Sequence, residues 1–594
     1  MLKKFFLNAL SAFVGAWAAI VLMVVAGIFF VIGIIGSFAK SEGLSVEKGS
    51  VMILRLQGNI EEVESNPTID YNTLLKGGFE KATSLNSIVK ALDQGKNNPY
   101  VEALLIECNG ASASPATFDA IRNAVKDFKV SGKRVFAYGD ELSMGDYFVA
   151  TAADEVFLNP CGNLNLQGIS GTSLYFKDFL DKIGISFDVV RVGTYKSAVE
   201  PFVQNEMSDA ARSQLDTLYN QMWSYIRDNI AETRKIKASR IDSLVNHFIF
   251  LDDAKTAQDE KLVDSCVYKR QLRGILANYM GRDEKKVNFV NAEKLGELSD
   301  WGSAYGSKKQ IAVLYAVGDI AEFEGAGIYC EKLVPIITRL ADDDNIKGLV
   351  LRVNSPGGSV FGSEQIGEAL DYFKSKGKKL AVSMGDYAAS GGYWISAGAD
   401  RIFADPLTIT GSIGIFGLVP NIQGLTDKLG IHPQTVSTNP GVNFPNIMQP
   451  MTPQQQDALQ KNVERGYDKF INRVANGRKK SPEYIESIAS GRVWDAISAK
   501  ELGLVDQLGG LNEAVKWIAD NSQMGDNYEV AVYPKFEPNL FSFIPQELLQ
   551  NAYVGSLIDK MKKEETGQMA LNSLAWLLLQ NNRQARALNV KVNL

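Results

Sequence analysis

Residues 133–160 read KRVFAYGDELSMGDYFVATAADEVFLNP, and residues 378–406 read KKLAVSMGDYAASGGYWISAGADRIFADP. The two stretches can be laid over each other so that Asp154 falls on Asp400, an offset of 246 residues. Further matches follow in the same order with a slowly drifting offset: 51–62 with 311–322, the segments that begin at Met207 and Met451, and 261–265 with 503–507. A repeat of this length indicates two copies of one domain rather than a short solenoid unit.

The repeat sets the expected number of domains. A chain of 594 residues would suggest about four domains from its length alone. Because the two copies account for most of the sequence, we predict two large domains, at 46–295 and 308–535. A tail at 536–594 follows, and the motifs assign it no role.

Each copy alternates apolar runs with amphipathic ones. In the second copy, IAVLYAV at 311–317 and IKGLVLRVN at 346–354 are short, apolar and rich in β-branched residues, as buried parallel strands are. GSEQIGEALDYFKSKG at 362–377 has its apolar residues at helical spacing. The alternation predicts an α/β fold of parallel βαβ units in both copies. The stretch from Met451 to about Asp506 is mostly helical in pattern.

The composition excludes several classes of protein. Apolar residues make up 45% of the chain and charged residues 22%, which rules out a disordered or collagen-like chain. The 62 basic and 68 acidic side chains give a net charge of −6, so no overall positive charge favours nucleic acid as a partner. The four cysteines are scattered without a CxxC pair, and neither a zinc site nor a disulfide framework is indicated.

The N-terminal segment has the pattern of a membrane anchor. No charged residue occurs between Phe5 and Ala39, and about 20 apolar residues are enough to span a bilayer. The run is too long for the apolar region of a cleavable signal peptide, which has about 7–15 residues. We therefore predict an anchor at 1–45 with a transmembrane helix at about 9–35. Two lysines precede it, which keeps the N-terminus in the cytoplasm and sends the rest of the chain outward.

Three loops of the second copy concentrate glycine and serine beyond the ends of strands: Asn354–Ser359, Ala389–Gly392 and Thr410–Gly414. Paired glycines let backbone N–H groups approach a ligand closely. A serine at the start of a helix lies where the helix dipole favours negative charge, which suits both an alkoxide and a neighbouring oxyanion. The alternative is that the small residues only allow strand and helix to pack tightly.

The first copy serves as an internal control for these loops. It carries Met144 at the position of Ser390 and Leu166 at the position of Ser412, and Asp146 replaces one of the paired glycines. The repeat keeps the surrounding sequence without these hydroxyls, so packing alone does not require them. Ser390 is therefore the candidate nucleophile, in the second copy only.

A serine hydroxyl needs a base to act as a nucleophile. The chain has only two histidines, His247 in the helical part of the first copy and His432 in a polar loop, and neither is well placed. A Ser-His-Asp site lacks its histidine here, and a Ser-Lys dyad is the better candidate. Lys196, in VGTYKSA at 192–198, follows an apolar run of the first copy, whereas the aligned position of the second copy is Val442. The ordinary alternative is a solvated surface lysine.

Taken together, these motifs resemble a known family. The anchor, the doubled α/β domain and the sequences NSPGG, ASGGYWIS, TGSIG and VGTYKSA are similar to the long, duplicated bacterial form of signal peptide peptidase A, also called protease IV. The resemblance covers nearly the whole chain. It implies a fold similar to that of the Clp-protease and crotonase superfamily.

For the site, the resemblance implies that Ser390 is the nucleophile and Lys196 the general base, contributed by different halves of the chain. It also implies that Ser412 forms a hydrogen bond with the lysine amine. The N–H groups of Gly358 and Gly391 would form the oxyanion hole. Neither a metal nor a cofactor is implied.

The resemblance also implies a biological setting. The protein would be a single-pass protein of the bacterial inner membrane with its catalytic domains on the extracytoplasmic side. It would form a homotetramer with its sites facing an enclosed space. Its substrates would be signal peptides left in the membrane after cleavage, presented in extended form.

Two other functions share parts of this pattern. A crotonase-type acyl-CoA enzyme would use the same backbone oxyanion geometry on a thioester, but the anchor and the Ser-Lys pair argue against it. A catalytically inactive membrane scaffold would have no need of Ser390, Lys196 and Ser412, which the chain retains. Whether Lys196 meets Ser390 within one chain or between chains is open at this point.

Overall fold

The computed structural model describes residues 46–63, 83–296, 309–323, 327–439, 441–525 and 527–534. The predicted anchor at 1–45, with its transmembrane helix, and the tail at 536–594 lie outside these residues. Among the residues described, no helix is both long enough and apolar enough to cross a bilayer.

The first half contains a parallel sheet. Strands β1 to β9 are Ser50–Leu56, Ile60–Glu61, Thr83–Ser84, Val101–Cys108, Arg134–Gly139, Glu155–Leu158, Ser186–Val192, Ser265–Cys266 and Asn288–Asn291. The order in the sheet is β8-β6-β5-β4-β1-β9, and each strand runs parallel to its neighbours. Strands β2 and β3 pair with each other, and β7 pairs outside this half.

Helices separate most of these strands. Helices α1 to α10 are Leu85–Asn97, Pro115–Lys129, Met144–Ala150, Lys177–Ile183, Glu200–Val203, Asp209–Arg234, Ala238–Asn246, Ala254–Asp259, Leu272–Met280 and Ala292–Gly296. Helix α2 shows why they begin where they do. Ser114 caps it by accepting a hydrogen bond from Thr117 N at 3.2 Å, and Pro115 occupies the first turn, where its missing N–H is not needed.

The second half repeats the arrangement. Strands β10 to β20 are Gln310–Val317, Ile320–Ala321, Ile328–Tyr329, Ile346–Ser355, Lys379–Ala389, Arg401–Ala404, Ile409–Gly411, Ile415–Asn421, Val493–Asp495, Gln507–Leu508 and Glu529–Tyr533. The main path of the sheet is β18-β16-β14-β13-β10-β20, and β15 pairs with β14 and β19 beside it. All these pairs are parallel except β16 with β18. The predicted α/β fold with parallel sheets is confirmed.

The helices of the second half extend the repeat. Helices α11 to α18 are Cys330–Asp342, Val360–Ser375, Gly391–Ser396, Gln423–Lys428, Pro453–Arg478, Pro482–Ile488, Ala496–Glu501 and Leu511–Asn521. Helices α6 and α15 have 26 residues each, and each begins at a hydroxyl cap, Ser208 in α6 and Thr452 in α15. The long helix therefore belongs to the duplicated unit.

Both faces of the second sheet are covered. On strand β13, Leu349 and Leu351 pack in one apolar cluster with Ile366 of α12. Val350, which points the other way, packs in a separate cluster with Ile518 of α18. This burial on both faces is what a parallel sheet requires, and it explains why the strand is apolar throughout rather than alternating.

The two halves meet through a strand pair and an ion pair. Strand β7 of the first half runs antiparallel to β17 of the second, with Val192 opposite Ile415. Glu62 and Arg352 are both buried, and Glu62 Oε1 lies 2.7 Å from Arg352 Nε. Removing either partner would leave a buried charge uncompensated, so this pair ties the halves together.

Two buried carboxyl groups also meet at this junction, Asp119 of α2 and Asp405 after β15. Tyr225 Oη and Asn123 Nδ2 donate to Asp119 Oδ2 at 3.1 and 3.0 Å, and Leu407 N donates to Asp405 Oδ1 at 3.0 Å. Asp119 Oδ1 receives no donor from the described residues. Burial raises the pKa of both carboxyls, and the neighbouring Asp119 carboxylate raises that of Asp405 further.

Candidate active site

Ser390 lies where strand β14 ends and helix α13 begins. Its backbone has φ 54° and ψ −119°, a conformation that L residues rarely adopt and that stores strain of the order of 1–3 kcal/mol. The backbone around it holds the serine in place, because Ser390 N donates to Gly411 O at 2.9 Å and Trp394 N donates to Ser390 O at 2.9 Å. Strain of this kind is concentrated at functional sites.

Ser412 stands beside Ser390 because β14 and β16 are neighbours. Ala389 pairs with Gly411 in that parallel ladder, so the residues that follow leave the sheet side by side. Ser412 also has a positive φ, 51°. Its N–H donates to Arg492 O at 2.7 Å, which fixes the turn.

Lys196 reaches the two serines from the first half. It comes four residues after Val192, the end of β7, which the pairing with β17 holds against the second half. Lys196 Nζ lies 3.2 Å from Ser390 Oγ and 2.9 Å from Ser412 Oγ, and it donates to Ser412 O at 3.0 Å. The structure therefore brings Lys196 and Ser390 together within one chain.

Among the residues that the structure describes, the amine of Lys196 is enclosed without a counter-charge. The residue is only 5% exposed. Glu200 lies close by in sequence, but its carboxylate binds Ser208 instead: Ser208 Oγ donates to Glu200 Oε1 at 2.7 Å. Burial lowers the pKa of Lys196 to about 8, because a charged amine loses hydration there and gains no anionic partner in return. A buried lysine with a lowered pKa can accept a proton, which a solvated one does poorly near neutral pH.

Gly358 and Gly391 lie close together beside Ser390. A Cβ on Gly391 would lie 3.2 Å from Gly358 N. Gly358 has φ 148°, and a Cβ there would lie 2.1 Å from Ile320 O, so only glycine fits. In the part of the chain that the structure describes, neither N–H meets a hydrogen-bond acceptor. Two such donors next to a serine hydroxyl can stabilise a negative charge that develops on a carbonyl oxygen.

A family comparison matches both copies of the repeat. The sequence model described as peptidase family S49 matches residues 127–280 and again residues 372–525. The chain belongs to peptidase family S49. The S49 chain is thus a serine peptidase, and this favours peptide hydrolysis over the acyl-CoA chemistry and the inactive scaffold considered above.

Curated relatives agree with the S49 membership. Protease 4 of Haemophilus influenzae is 38% identical over 443 residues, which cover 72% of this chain and 71% of the relative. Protease 4 of Salmonella typhi is 36% identical over 456 residues, covering 74% of this chain and 72% of the relative. The chloroplastic serine protease SPPA of Arabidopsis thaliana is 25% identical over 503 residues, covering 83% and 72%.

Similarity to Clp proteases is limited to part of the S49 chain. A sequence model described as Clp protease matches residues 327–409. The solved structure of a ClpP1 N165D mutant from Listeria monocytogenes covers 34% of this chain and 94% of its own, at 15% identity and a TM-score of 0.24.

Sequence reasoning missed a segment that holds this S49 site together, Ser490–Arg492. Tyr195 N donates to Ser490 O at 2.9 Å, and a Cβ on Gly491 would lie 2.7 Å from Lys196 Cβ. The guanidinium of Arg492 lies 5.0 Å from the ring centre of Tyr195 and 4.2 Å from that of Trp494. The signal was a serine–glycine–arginine turn inside a stretch that we took as helical, and only the fold reveals its contact with the first half.

The corresponding place in the first half of this S49 chain is filled by a carboxylate. Met144 begins helix α3 where Ser390 precedes α13, and Asp146 Oδ2 accepts from Gly110 N at 3.1 Å. Asp146 is fully buried, and burial raises its pKa to about 6. The backbone donor of this loop is thereby used internally.

Proposed function

We propose that this S49 peptidase is a membrane-anchored serine endopeptidase that degrades signal peptides left in the membrane after their cleavage from secreted proteins. Ser390 acts as the nucleophile and Lys196 as the general base, while Ser412 orients the lysine. The N–H groups of Gly358 and Gly391 form the oxyanion hole. The observation that carries the proposal is the 3.2 Å contact between Lys196 Nζ and Ser390 Oγ, at a buried amine that has no carboxylate partner in the described part of the chain.

In the acylation step, neutral Lys196 removes the proton of Ser390 while Oγ bonds to the carbonyl carbon of the scissile peptide. The carbonyl electron pair moves onto oxygen, where the two glycine N–H groups donate to it. When the C–N bond breaks, the Lys196 ammonium returns its proton to the leaving amine and an ester to Ser390 remains. Lys196 then takes a proton from water, the hydroxide adds to the ester, and Ser390 leaves with the proton from the lysine.

Active-site substitution tests these roles. Ser390→Ala and Lys196→Ala should each remove nearly all hydrolysis of a fluorogenic peptide, and Lys196→Arg should fail as well, because a guanidinium stays protonated. Ser412→Ala should lose about 10- to 1000-fold, since it orients the base rather than reacting. Exposed Lys461, which pairs with Asp457, supplies the matched control Lys461→Ala, with unchanged activity expected. An active Lys196→Arg enzyme would show that the base is another group.

A fluorophosphonate probe tests the nucleophile independently of turnover. The wild-type chain should become labelled at Ser390, as peptide mapping by mass spectrometry would report, and Lys196→Ala should label far more slowly because the hydroxyl is not activated. Labelling at another serine, with Ser390 unmodified, would contradict the assignment.

The anchor and its orientation rest on the apolar run between Phe5 and Ala39 and the lysines before it. In this proposal the protein is a single-pass protein of the bacterial inner membrane with its catalytic halves on the extracytoplasmic side. A chain lacking residues 1–45 should be soluble and active. In spheroplasts, a membrane-impermeant maleimide should label exposed Cys161 of the full chain. Labelling only after lysis would reverse the orientation.

The substrate and assembly proposals rest on the resemblance and on surface chemistry. Several large apolar side chains are exposed around helix α4 and in the loop after α14: Leu174, Phe176, Phe179, Leu429, Ile431, Val436, Val442, Phe444, Ile447 and Met448. Apolar surface of this extent is typical of an interface. A homotetramer would cover part of it and direct the sites toward extended peptides. Light scattering of the chain without residues 1–45 should give four times its monomer mass, and a monomer would exclude this assembly.

A further inference from the structure

The carboxylate of Asp386 joins the two halves close to the candidate oxyanion loop. Asp386 lies on β14, four residues before Ser390. Its Oδ2 accepts from Asn354 Nδ2 at 2.8 Å, within the second half. Its Oδ1 accepts from Thr117 Oγ1 at 2.9 Å and from Ser114 Oγ, both at the start of helix α2 in the first half.

Asn354 occupies a gap in the sheet. The ladder between β13 and β14 pairs Val353 with Met384 and then Ser355 with Ala388, so the backbone pairing is interrupted where Asn354 stands. At this point the side chain of Asn354, instead of the backbone, forms the hydrogen bonds to β14.

Three polar groups of Asn354 form hydrogen bonds. Asn354 Oδ1 accepts from Tyr387 N at 3.1 Å, and its carbonyl accepts from Gly318 N at 2.9 Å. Its Nδ2 has Asp386 as its acceptor. Four residues further on, the same loop presents Gly358 N beside Ser390. The amide of Asn354 therefore sets the direction in which the loop leaves the sheet.

The carboxylate of Asp386 is held by hydroxyl and amide donors. In the described part of the chain it forms no ion pair, and the nearby guanidinium of Arg352 is held by Glu62 at 2.7 Å. A carboxylate with hydroxyl and amide donors is fixed in position more firmly than a neutral acceptor would be, because hydrogen bonds to a charged group are shorter and stronger. Two of its three donors come from the first half.

We propose that Asp386 is a positioning residue that holds the oxyanion loop through Asn354 and is itself held by Thr117 and Ser114 of the first half. The first half then contributes to the site in two ways: it provides Lys196 as the base, and it positions the N–H donor of Gly358. This inference rests on the proposed function, because it assumes that the Gly358 N–H stabilises the oxyanion.

The test compares two inhibitors that differ only at the reacting carbon, a peptide aldehyde and the matching peptide alcohol. The aldehyde adds Ser390 Oγ to its carbonyl and forms a hemiacetal whose oxygen lies in the oxyanion hole, whereas the alcohol binds the same subsites without this addition. Asp386→Ala should weaken inhibition by the aldehyde about 10- to 100-fold and lower kcat to a similar extent. Inhibition by the alcohol and KM should change by less than about 3-fold.

Two further variants separate positioning from general damage. In Asp386→Asn the side-chain oxygen can still accept from Asn354 while the hydroxyls turn to accept from the new amide, so most of the aldehyde affinity should return. Thr117→Val keeps the shape and removes one donor, and it should lower aldehyde affinity by a smaller factor with no further loss in the double variant. Thr117→Val also serves as the measurement if Asp386→Ala does not fold.

Asp400→Asn is the matched control, because Asp400 accepts from Leu380 N at 2.9 Å at the other end of β14. It should weaken both inhibitors equally or neither. Equal weakening of aldehyde and alcohol by Asp386→Ala or Thr117→Val, or no weakening, would overturn the inference while the wild-type enzyme remains active. A wild-type chain that neither hydrolyses the peptide nor binds the aldehyde would instead overturn the proposed function, and this inference with it.

Discussion

At the scale of single residues, the chemistry depends on what surrounds one amine. A solvated lysine with a pKa near 10.4 would be neutral in roughly four of ten thousand molecules at pH 7. With the pKa of Lys196 lowered to about 8, about one molecule in eleven is neutral at that pH. Hydroxyl and carbonyl oxygens around Nζ add hydrogen bonds without adding charge, so they leave this effect of burial in place.

The pH dependence of activity follows from the protonation of Lys196. Only the neutral amine can take the serine proton, so kcat/KM should fall as pH drops below about 8 and reach a plateau above it. A rate profile between pH 6 and 10 measures this. Asp146→Asn in the first half is the control: its pKa is raised to about 6, and its loss should leave the limb near pH 8 unchanged. A limb that stays near pH 10.5 would contradict a buried base.

The pairing of secondary-structure elements, rather than any single residue, places Lys196 beside the two serines. The register of β14 with β16 sets the two serines side by side, and the pairing of β7 with β17 carries Lys196 across from the other half. The turn at Ser490–Arg492 then contacts both loops, through Tyr195 and through Ser412. Three contacts between segments that are separated in the sequence thus position the amine of Lys196.

Arg492 offers a test of this turn at the level of side-chain packing. Its guanidinium lies between the rings of Tyr195 and Trp494, and Arg492→Ala should loosen the loop that carries Lys196. We expect a loss of about 1–2 kcal/mol in unfolding free energy and a loss of about 10-fold in kcat. Denaturant unfolding and peptide hydrolysis measure the two effects.

Lys480 provides the control for Arg492, since its amine lies 5.2 Å from the ring centre of Tyr484, away from the site. Lys480→Ala should change stability by a comparable or smaller amount and leave kcat as it is. If both variants lowered kcat equally, the turn at Ser490–Arg492 would not be specifically responsible for positioning Lys196.

The sequence predicted the parallel sheets because a strand such as β13, buried on both faces, has an unbroken apolar pattern. It indicated Ser390 because the first copy lacks that hydroxyl, and Lys196 because no histidine was available. The sequence could not predict the pairing of β7 with β17, since the apolar pattern of a strand indicates that it pairs but not with which strand. The sequence did not predict the contacts of the turn at Ser490–Arg492 for the same reason: its partners lie in distant parts of the chain.

At the scale of the whole molecule, the junction between halves contains charges that respond to pH. Burial, together with the neighbouring charge of Asp119, raises the pKa of Asp405, so the folded state favours the protonated form of this carboxyl. A carboxyl whose pKa is higher folded than unfolded stabilises fully only below its unfolded pKa, and the stability is lost as pH rises through the folded pKa. The junction should therefore lose stability as the pH rises from about 4 toward the folded pKa of Asp405.

Asp405→Asn should remove this pH dependence, because an amide does not titrate and stays neutral in its buried position. The variant should unfold at a higher temperature than the wild type at pH 8, with a smaller difference at pH 5. Thermal unfolding across that range measures it, with Asp400→Asn, at a partly exposed position, as the control. A wild-type stability that rose from pH 5 to pH 8, or a stabilisation by Asp405→Asn that did not grow over this range, would contradict a raised pKa of Asp405.

Separation of the halves tests the shared site as a whole. A fragment at 308–535 retains Ser390 and Ser412 but has no Lys196, and it exposes the faces that α2 and β7 cover. It should neither hydrolyse peptides nor become labelled by fluorophosphonate, whereas mixing with a refolded 46–295 fragment should restore both. Substantial turnover by the second fragment alone would end the case for a site built from two halves.

The division of the dyad between repeats also has a consequence for the gene. The stretches 133–160 and 378–406 are similar enough to align, and a crossover between them would delete one repeat. A crossover before the aligned Met144 and Ser390 positions would keep Ser390 but delete Lys196 and Gly358, and a second copy of the shortened chain would lack the same two residues. Because each repeat carries only one of the two reacting groups, loss of either repeat from the gene would leave the dyad incomplete.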